Sequence, residues 1–430
     1  MLNRDFAIVD LSAAPDMTPC DFPFAQCGAA CIDVTSDPNN CGRCGNACAP
    51  GQLCQNPGFC YPTCTPPYVA CDGNCVLLAT DNGNCGACGN ACPTGQLCSQ
   101  SSCAASCQGG LTNCNGTCVD LNTDPMYCSN CFKQCAFAQA CRGGACVADW
   151  TAHQVSSQDI NDGWASGPSD VYAISTSGDV YHSSDGGQSW LSQTQVQFIL
   201  HSIWGAGKGD VYVVGDGGTL LHSTGSGSWT AENSNVSERL FQVWGSPSDT
   251  VATNVLAISD SGLVLHSTGN GAWTIGQSIG EMNGQSAMGL WGAGSEVWWC
   301  GQSNVWRSHD GGNTWHVELA QQAQSVWGSG ASDVWLLSFG GTVLHSTGNG
   351  SWTQAAQLDT RNGNINYLAL WGTGPTDVYA AGWGGAVSHF TGGVWKDEAS
   401  GLPQTIIALW GSGPSDVWAG ATSGWTIHRN

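Results

Sequence analysis

Twenty-four of the chain's 25 cysteines lie between Cys20 and Cys146, and they repeat one spacing three times. The first octet is Cys20, Cys27, Cys31, Cys41, Cys44, Cys48, Cys54 and Cys60. The second is Cys64, Cys71, Cys75, Cys85, Cys88, Cys92, Cys98 and Cys103, and the third Cys107, Cys114, Cys118, Cys128, Cys131, Cys135, Cys141 and Cys146. Steps between successive cysteines are 7, 4, 10, 3, 4, 6, 6 in the first octet and 7, 4, 10, 3, 4, 6, 5 in the other two. An even count in short segments poor in large aliphatic side chains means that each module is held by cross-links in place of an apolar core. Such a chain belongs outside the reducing cytosol. Three modules are expected, at 20–60, 64–103 and 107–146, after an extended tether at 1–19 that contains Pro15 and Pro19. That tether lacks a basic end followed by an apolar run, so an export leader is expected to have been removed from this numbering.

Near residue 148 the composition changes. All 21 tryptophans lie at or beyond Trp150, while the only later cysteine is Cys300. The formal charge is -22, and acidic residues outnumber basic ones on both sides of this border. Without a Lys/Arg cluster to neutralise phosphates, nucleic acid is excluded as a partner, and so are anionic membrane surfaces. No stretch approaches the ~20 apolar residues of a membrane span.

Each octet also carries a turn signature. Asp37-Pro38-Asn39-Asn40-Cys41-Gly42-Arg43-Cys44-Gly45-Asn46-Ala47-Cys48 returns as Asp81 to Cys92 and, more loosely, as Asp124 to Cys135. Asp and Asn cap turns through their side chains, and Gly tolerates positive φ. Together with Gly51-Gln52-Leu53-Cys54 and Gly95-Gln96-Leu97-Cys98, this pattern resembles the stigma-specific family of cysteine-rich modules, and also tandem modules of secreted bacterial surface proteins. The resemblance implies a disulfide scaffold and no activity. The pairs Cys41/Cys44, Cys85/Cys88 and Cys128/Cys131 have the spacing of redox or zinc sites. The modules contain no His, and the pairs sit in cysteine-saturated repeats, so structural disulfides are expected, with connectivity open and no metal or cofactor.

Beyond the modules a second period of about 40 residues appears. Its anchoring tryptophan recurs at 164, 204, 244, 291, 327, 371 and 410, usually followed by Gly and then by Asp-Val-Tyr/Trp. Four short alternating stretches per period, punctuated by Gly, Ser and Asn, read as four strands. Seven such repeats predict an all-β, seven-bladed β-propeller over 149–430. The last repeat stops after its third strand at Trp425-Thr426-Ile427-His428, whereas an unattached fourth strand, 149–154, precedes the first. The amino-terminal strand is therefore expected to close blade 7. Trp150, Trp190, Trp229, Trp273, Trp315, Trp352 and Trp395 share the fourth-strand position and are assigned to packing, as Cys300 is.

Ser183-x-Asp185-x-Gly187-x-Ser189-Trp190 and Ser308-x-Asp310-x-Gly312-x-Thr314-Trp315 resemble the Asp box of sialidases and related propellers. The resemblance implies that Asp185 and Asp310 cap the turn between third and fourth strands. His182, His222, His266, His345, His389 and His428 share a third-strand position, with Arg307 in the seventh repeat. Their period is the blade itself, which separates them too widely for one ion, so stacking or a turn hydrogen bond is expected. Asp170, Asp210, Asp333, Asp377 and Asp416 recur before Val and read as turn caps. A sialidase's three converging arginines are missing, and so are zinc, nucleophile-elbow and phosphate-loop motifs. No catalysis is expected.

If repeated positions are scaffold, function lies where one copy departs from the others. Asp216, Phe339, Trp383 and Trp425 differ at the turns between second and third strands, and Asn364 and Asn366 lie in a long loop expected on the same face, with Asn362 and the 280–285 segment. Aromatic rings beside amide and carboxylate groups suit sugar faces. The expectation is an exported, cell-surface adhesion protein, with a disulfide-rich spacer and a carbohydrate-binding or protein-binding propeller. A self-assembling structural protein is the alternative, and a glycan-cleaving enzyme the next.

Overall fold

The computed structural model describes residues 24–27, 30–33, 37, 39–40, 44–45, 47, 53–55, 59–61, 69–71, 74–136, 139–248, 251–279, 287–358 and 366–429. The tether 1–19, Cys20, Cys41, Cys48 and Cys64 lie outside these residues, as do Asn362, Asn364 and the 280–285 segment; of the side chains of Cys31, Cys54, Cys60 and Cys75 nothing is described. The chain divides into two compact units with the border between Cys118 and Val119. No helix among the described residues is long and apolar enough to cross a membrane.

The cysteine modules contain little regular structure beyond short hairpins, such as Val69–Cys71 with Asn74–Val76 and Leu97–Ser99 with Ser102–Ala104. The turn signature explains itself in the second octet: the Asp81 carboxylate accepts from the Gly83 amide at 2.8 Å, and Asn84 Oδ1 accepts from the Gly89 amide at 2.8 Å. The same two bonds recur in the first octet, from Asn39 to Asp37 and from Gly45 to Asn40. Gly45 and Gly89 stand at φ +75° and +74°, where a Cβ is strained. Described disulfides join Cys27–Cys44, Cys71–Cys88, Cys85–Cys98, Cys92–Cys103, Cys107–Cys118, Cys128–Cys141 and Cys135–Cys146. Counted within the octets these are first to third, second to fifth, fourth to seventh and sixth to eighth, and Cys114 and Cys131 are also disulfide-bonded. Cys98 and Cys103 face each other across a hairpin yet bond elsewhere, which is why spacing alone left the pairing open. The sulfur triplets Cys85/Cys92/Cys103 and Cys128/Cys135/Cys146 lie close enough together for an ion, but their sulfurs are in these disulfides.

Residues from Thr151 onward form seven four-stranded antiparallel sheets, a seven-bladed propeller. Blade 1 runs from Ile160 to Gln195, blade 2 from Leu200 to Ala231, blade 3 from Leu240 to Ser278 and blade 4 from Ala287 to Leu319. Blades 5 and 6 span Ser325 to Gln357 and Tyr367 to Glu398. Blade 7 comprises Ile406–Gly413, Asp416–Ala421 and Trp425–Arg429, and the strand Thr151–Gln154 pairs antiparallel to the last of these, with Thr151 opposite His428. At the entry to this strand, Arg142 of the third octet pairs with Asp149 at 2.8 Å, and Asp149 accepts from the Ala399 amide of blade 6 at 2.8 Å.

The repeated Trp-Gly pair is a contact between blades. A Cβ on Gly205 would lie 2.7 Å from Trp164, one on Gly245 2.5 Å from Trp204, and one on Gly292 2.8 Å from Trp244. Gly328, Gly372 and Gly411 receive Trp291, Trp327 and Trp371 in the same way, and Gly163 of blade 1 receives Trp410, which closes the ring. Each innermost strand thus gives up a side chain so that the indole of the preceding blade can lie on its backbone.

A second layer joins the middle strands. Tyr172, Tyr212, Tyr379 and Trp418 of the second strands stack on His182, His222, His389 and His428, with ring centres 3.8 to 4.4 Å apart. The Nε2 of each of these histidines lies 2.6 to 2.8 Å from Asp170, Asp210, Asp377 or Asp416, and His345 makes the same bond to Asp333 at 2.7 Å. The repeating aspartates therefore do more than cap turns: they tie the second strand to the third. Blade 4 substitutes Arg307, held by Glu296 at 2.8 Å and Glu318 at 3.0 Å, with its guanidinium 4.5 Å from the Trp298 ring centre.

The fourth-strand tryptophans reach backward. Trp150, Trp190, Trp229 and Trp273 meet the second-strand aromatics Tyr379, Trp418, Tyr172 and Tyr212 of the preceding blade edge-on. Trp150 and Trp273 also donate to Glu398 and Glu232, which in turn hold His389 and His222 at Nδ1. Blade 3 breaks the pattern, because Asn254 replaces the aspartate and turns its amide to the Gly311 carbonyl. Its His266 is left with a buried, unpartnered Nε2, and burial lowers its pKa. Cys300 is a fully buried free thiol whose pKa burial pushes up.

Gly205→Ala forces a methyl against Trp164 and should cost about 1–3 kcal/mol, read as a lower midpoint in denaturant titration. Burial opposes the His222 imidazolium, but hydrogen bonds to Glu232 and Asp210 outweigh it, so its pKa is raised above the ordinary 6.5. Its contribution is therefore complete below that value and lost as pH climbs through the raised one. The stability gap between the native chain and His222→Gln, read by denaturant titration at a series of pH values, should be full below about pH 6.5 and shrink as pH rises above it.

Candidate functional site

Chain direction assigns the loops to faces. First and third strands run one way and second and fourth the other, so the turns from second to third strand share a face with the loops that leave the fourth. Hydrogen bonds tie these segments together: the Asp216 amide donates to the Ile199 carbonyl, Trp383 to Asn366 and Thr422 to Thr405. The tips of the seven turns, read by register, are Thr176, Asp216, Asp260, Gln302, Phe339, Trp383 and Thr422.

Phe339 and Trp383 occupy equivalent tips on the neighbouring blades 5 and 6, and 38% and 46% of their surfaces are exposed. Both open a single helical turn, Phe339–Gly341 or Trp383–Gly385, whose middle glycine has positive φ. That turn swings the ring out of the sheet. Amides surround the pair. Gln324 Nε2 donates to Asn366 Oδ1 at 3.4 Å, Gln321 Nε2 to Ser338 Oγ at 2.9 Å and Gln357 Nε2 to the Gly340 carbonyl at 2.6 Å. In the loop entering blade 7, Gln404 Oε1 is buried without a partner.

Two of the sequence-picked residues belong elsewhere. Trp425 is not at a turn tip: the turn is Thr422–Gly424, and Trp425 opens the third strand opposite Gln154, partly buried against the core of blades 6 and 7. Its register equals that of Thr219 and Thr342, so one residue of misalignment put it on the face. Asp216 is at a tip, but on blade 2, three blades from either aromatic around the ring. There it accepts from His201 Nε2 at 2.8 Å and Arg239 Nε at 2.9 Å, while Arg239 also faces Asp260 at 3.4 Å. Burial raises the pKa of Asp260, with Arg239 and His201 opposing and Asp216 adding to the shift. His201 stacks on Phe241 at 5.2 Å. One half of the face is thus charged and internally paired, and the other presents two rings among amides. Asn364 lies outside the described residues, whereas Asn366 sits beside Trp383.

The glutamines of the aromatic half went unnoticed in the sequence. Gln321, Gln322 and Gln324 cluster in the loop entering blade 5, where the repeat has no such run, and that departure is visible in the sequence. On the opposite face, Asp185 and Asp310 cap their turns by accepting from the Ser189 and Thr314 amides at 2.9 and 2.8 Å, and both have pKa values lowered to about 2.

The comparisons agree with this architecture. Residues 14–62 and 55–106 match the model of the Stigma-specific STIG1-like protein family, which covers the first two octets. No curated protein matches the chain significantly. Among solved structures, YCF48 bound to D1 peptide is similar at 17% identity and a TM-score of 0.56, over 66% of this chain and 96% of that one. YCF48 from Cyanidioschyzon merolae is similar at 14% identity and a TM-score of 0.54, over 66% of this chain and 99% of that one. Virginiamycin B lyase from Staphylococcus aureus is similar at 10% identity and a TM-score of 0.53, over 65% and 98%. At these identities the likeness is one of fold, and the chain joins stigma-specific-type cysteine modules to a seven-bladed propeller.

Proposed function

We propose that this is an exported, cell-surface binding protein without catalytic activity, and that its propeller takes a glycan on the aromatic half of the face formed by blades 5 and 6. The observation that carries the reading is the pair Phe339 and Trp383: two exposed rings at equivalent tips of adjacent blades, where the other blades place Thr, Asp or Gln. Large rings held out of the core cost solvation that no internal packing repays, and a sugar face recovers it by stacking. The amides of Gln321, Gln324, Gln357 and Asn366 offer the donors and acceptors that hydroxyl groups need. Export rests on the cysteine octets and their disulfides, which persist in oxidising surroundings. The absence of catalysis is supported by the consumption of charged groups in pairs between strands, as in Arg307 with Glu296 and Glu318, and Arg429 with Glu398 at 2.9 Å.

A second reading, a peptide ligand on the same rings, draws on the solved YCF48 with its bound D1 peptide. The full-length chain, with Trp383→Ala and Phe339→Ala beside it, should be run over a broad glycan panel. Each truncation should weaken binding roughly five- to thirty-fold, about 1–2 kcal/mol, with unchanged thermal unfolding. Silence across the panel would remove the glycan reading and move the test to peptides. Release of reducing ends would overturn the non-catalytic reading.

A further inference from the structure

We propose that blade 3 carries an acid-released edge: protonation of His266 frees the outer strand, Thr274–Ser278, from the third strand, Leu263–Ser267, while the rest of the ring stays closed. The device lies in the scaffold and is independent of the ligand reading above.

Blade 3 lacks both carboxylates that hold the equivalent histidine of blade 2, where His222 lies between Asp210 at Nε2 and Glu232 at Nδ1. By register, Asn254 stands where Asp210 does and Gly276 where Glu232 does. Asn254 spends its amide on the Gly311 carbonyl at 2.9 Å, and the glycine has no side chain to offer. His266 Nε2 is left buried without a hydrogen-bond partner, and a Cβ on Gly276 would lie only 2.8 Å from that nitrogen. The backbone of the outer strand therefore covers the orphaned nitrogen.

This site tolerates a neutral imidazole and opposes an imidazolium, because a buried charge needs an acceptor. Burial disfavours the charged form of His266 and outweighs the Gly312 backbone and the Asp310 carboxylate of blade 4, which favour it. Among the described residues no other ionisable group acts on it: on its own blade it faces Leu256 and Thr274 across the ladder, with Gly276 beside them. Its pKa is lowered from 6.5, so the stability it gives the closed strand is complete above that value and lost as pH falls below it, opposite in sign to His222. The outer strand is also the element that can yield. All five of its residues are exposed, and its pairing with the third strand slips between Leu263 and Leu265. Trp273 before it, whose indole donates to Glu232 at 2.7 Å, and Ile279 after it are buried and anchor both ends.

The test compares the full chain, disulfides intact, by hydrogen exchange and mass spectrometry at about pH 7 and about pH 5, each corrected for intrinsic exchange rates. Protection of the Leu263–Ser278 hairpin should fall roughly three- to twenty-five-fold in acid, the upper bound being that of one histidine titrating at about 6.5 in the open strand. The equivalent hairpins Leu220–Ala231 and Val387–Glu398 should keep theirs. Asn254→Asp, which restores the carboxylate that five blades have, and His266→Gln, which takes up no proton, should each abolish the fall. Protection that is equal at both pH values, a fall shared by the other two hairpins, or a fall that either variant retains would overturn the proposal.

Discussion

The propeller depends on one contact made seven times: an indole from one innermost strand lying on a glycine of the next. Because the last tryptophan, Trp410, lands on Gly163 of the first blade, the contact has no free end. Trp244, Trp327 and Trp410 are buried in these contacts, and Trp164, Trp204, Trp291 and Trp371 are half-buried. Blade 7 then needs its fourth strand from the amino-terminal side, since an open sheet would leave both an edge and the ring unfinished.

On that ring the blades are joined by polar chains that cross the interior. An aspartate holds a histidine, the histidine stacks on a tyrosine or tryptophan and reaches a glutamate, and the glutamate takes the indole N–H of the following blade, as in Asp210, His222, Glu232 and Trp273. Buried polar groups are tolerable when each has a partner, and repetition supplies the partners. The exceptions stand out for the same reason. In blade 3 Asn254 deserts His266, and in blade 4 an arginine takes the histidine's place while Glu296 takes the aspartate's and holds both Arg307 and His309. A scaffold this regular lets a single copy change at its tips without refolding the rest, which is how Phe339 and Trp383 can stand exposed.

Much of this was legible in the linear chain. The cysteine spacing, the tryptophan period and the missing fourth strand are statements about repetition, and repetition survives in one dimension. The turn chemistry of Asp81 and Asn84 was legible too, because those bonds span only a few residues. The register of turns was less so: Trp425 was read one position off, because Thr422-Ser423-Gly424 lacks the double glycine that marks the tips of blades 2, 5 and 6.

The sequence by itself determined what is local or periodic: the export-type cysteine modules, the all-β class, the count of blades and the residues that break the pattern. Only the tertiary structure decided which of those departures meet. Blade order put Phe339 and Trp383 on neighbouring tips and left Asp216 three blades away with Arg239 and Asp260, the blade 4 hairpin brought His309 against His316, and the second cysteine module sent Cys98 to Cys85 although it faces Cys103. The physical reason is that such neighbours are set by blade order, strand register and side-chain direction acting together, and none of these is written at any single position.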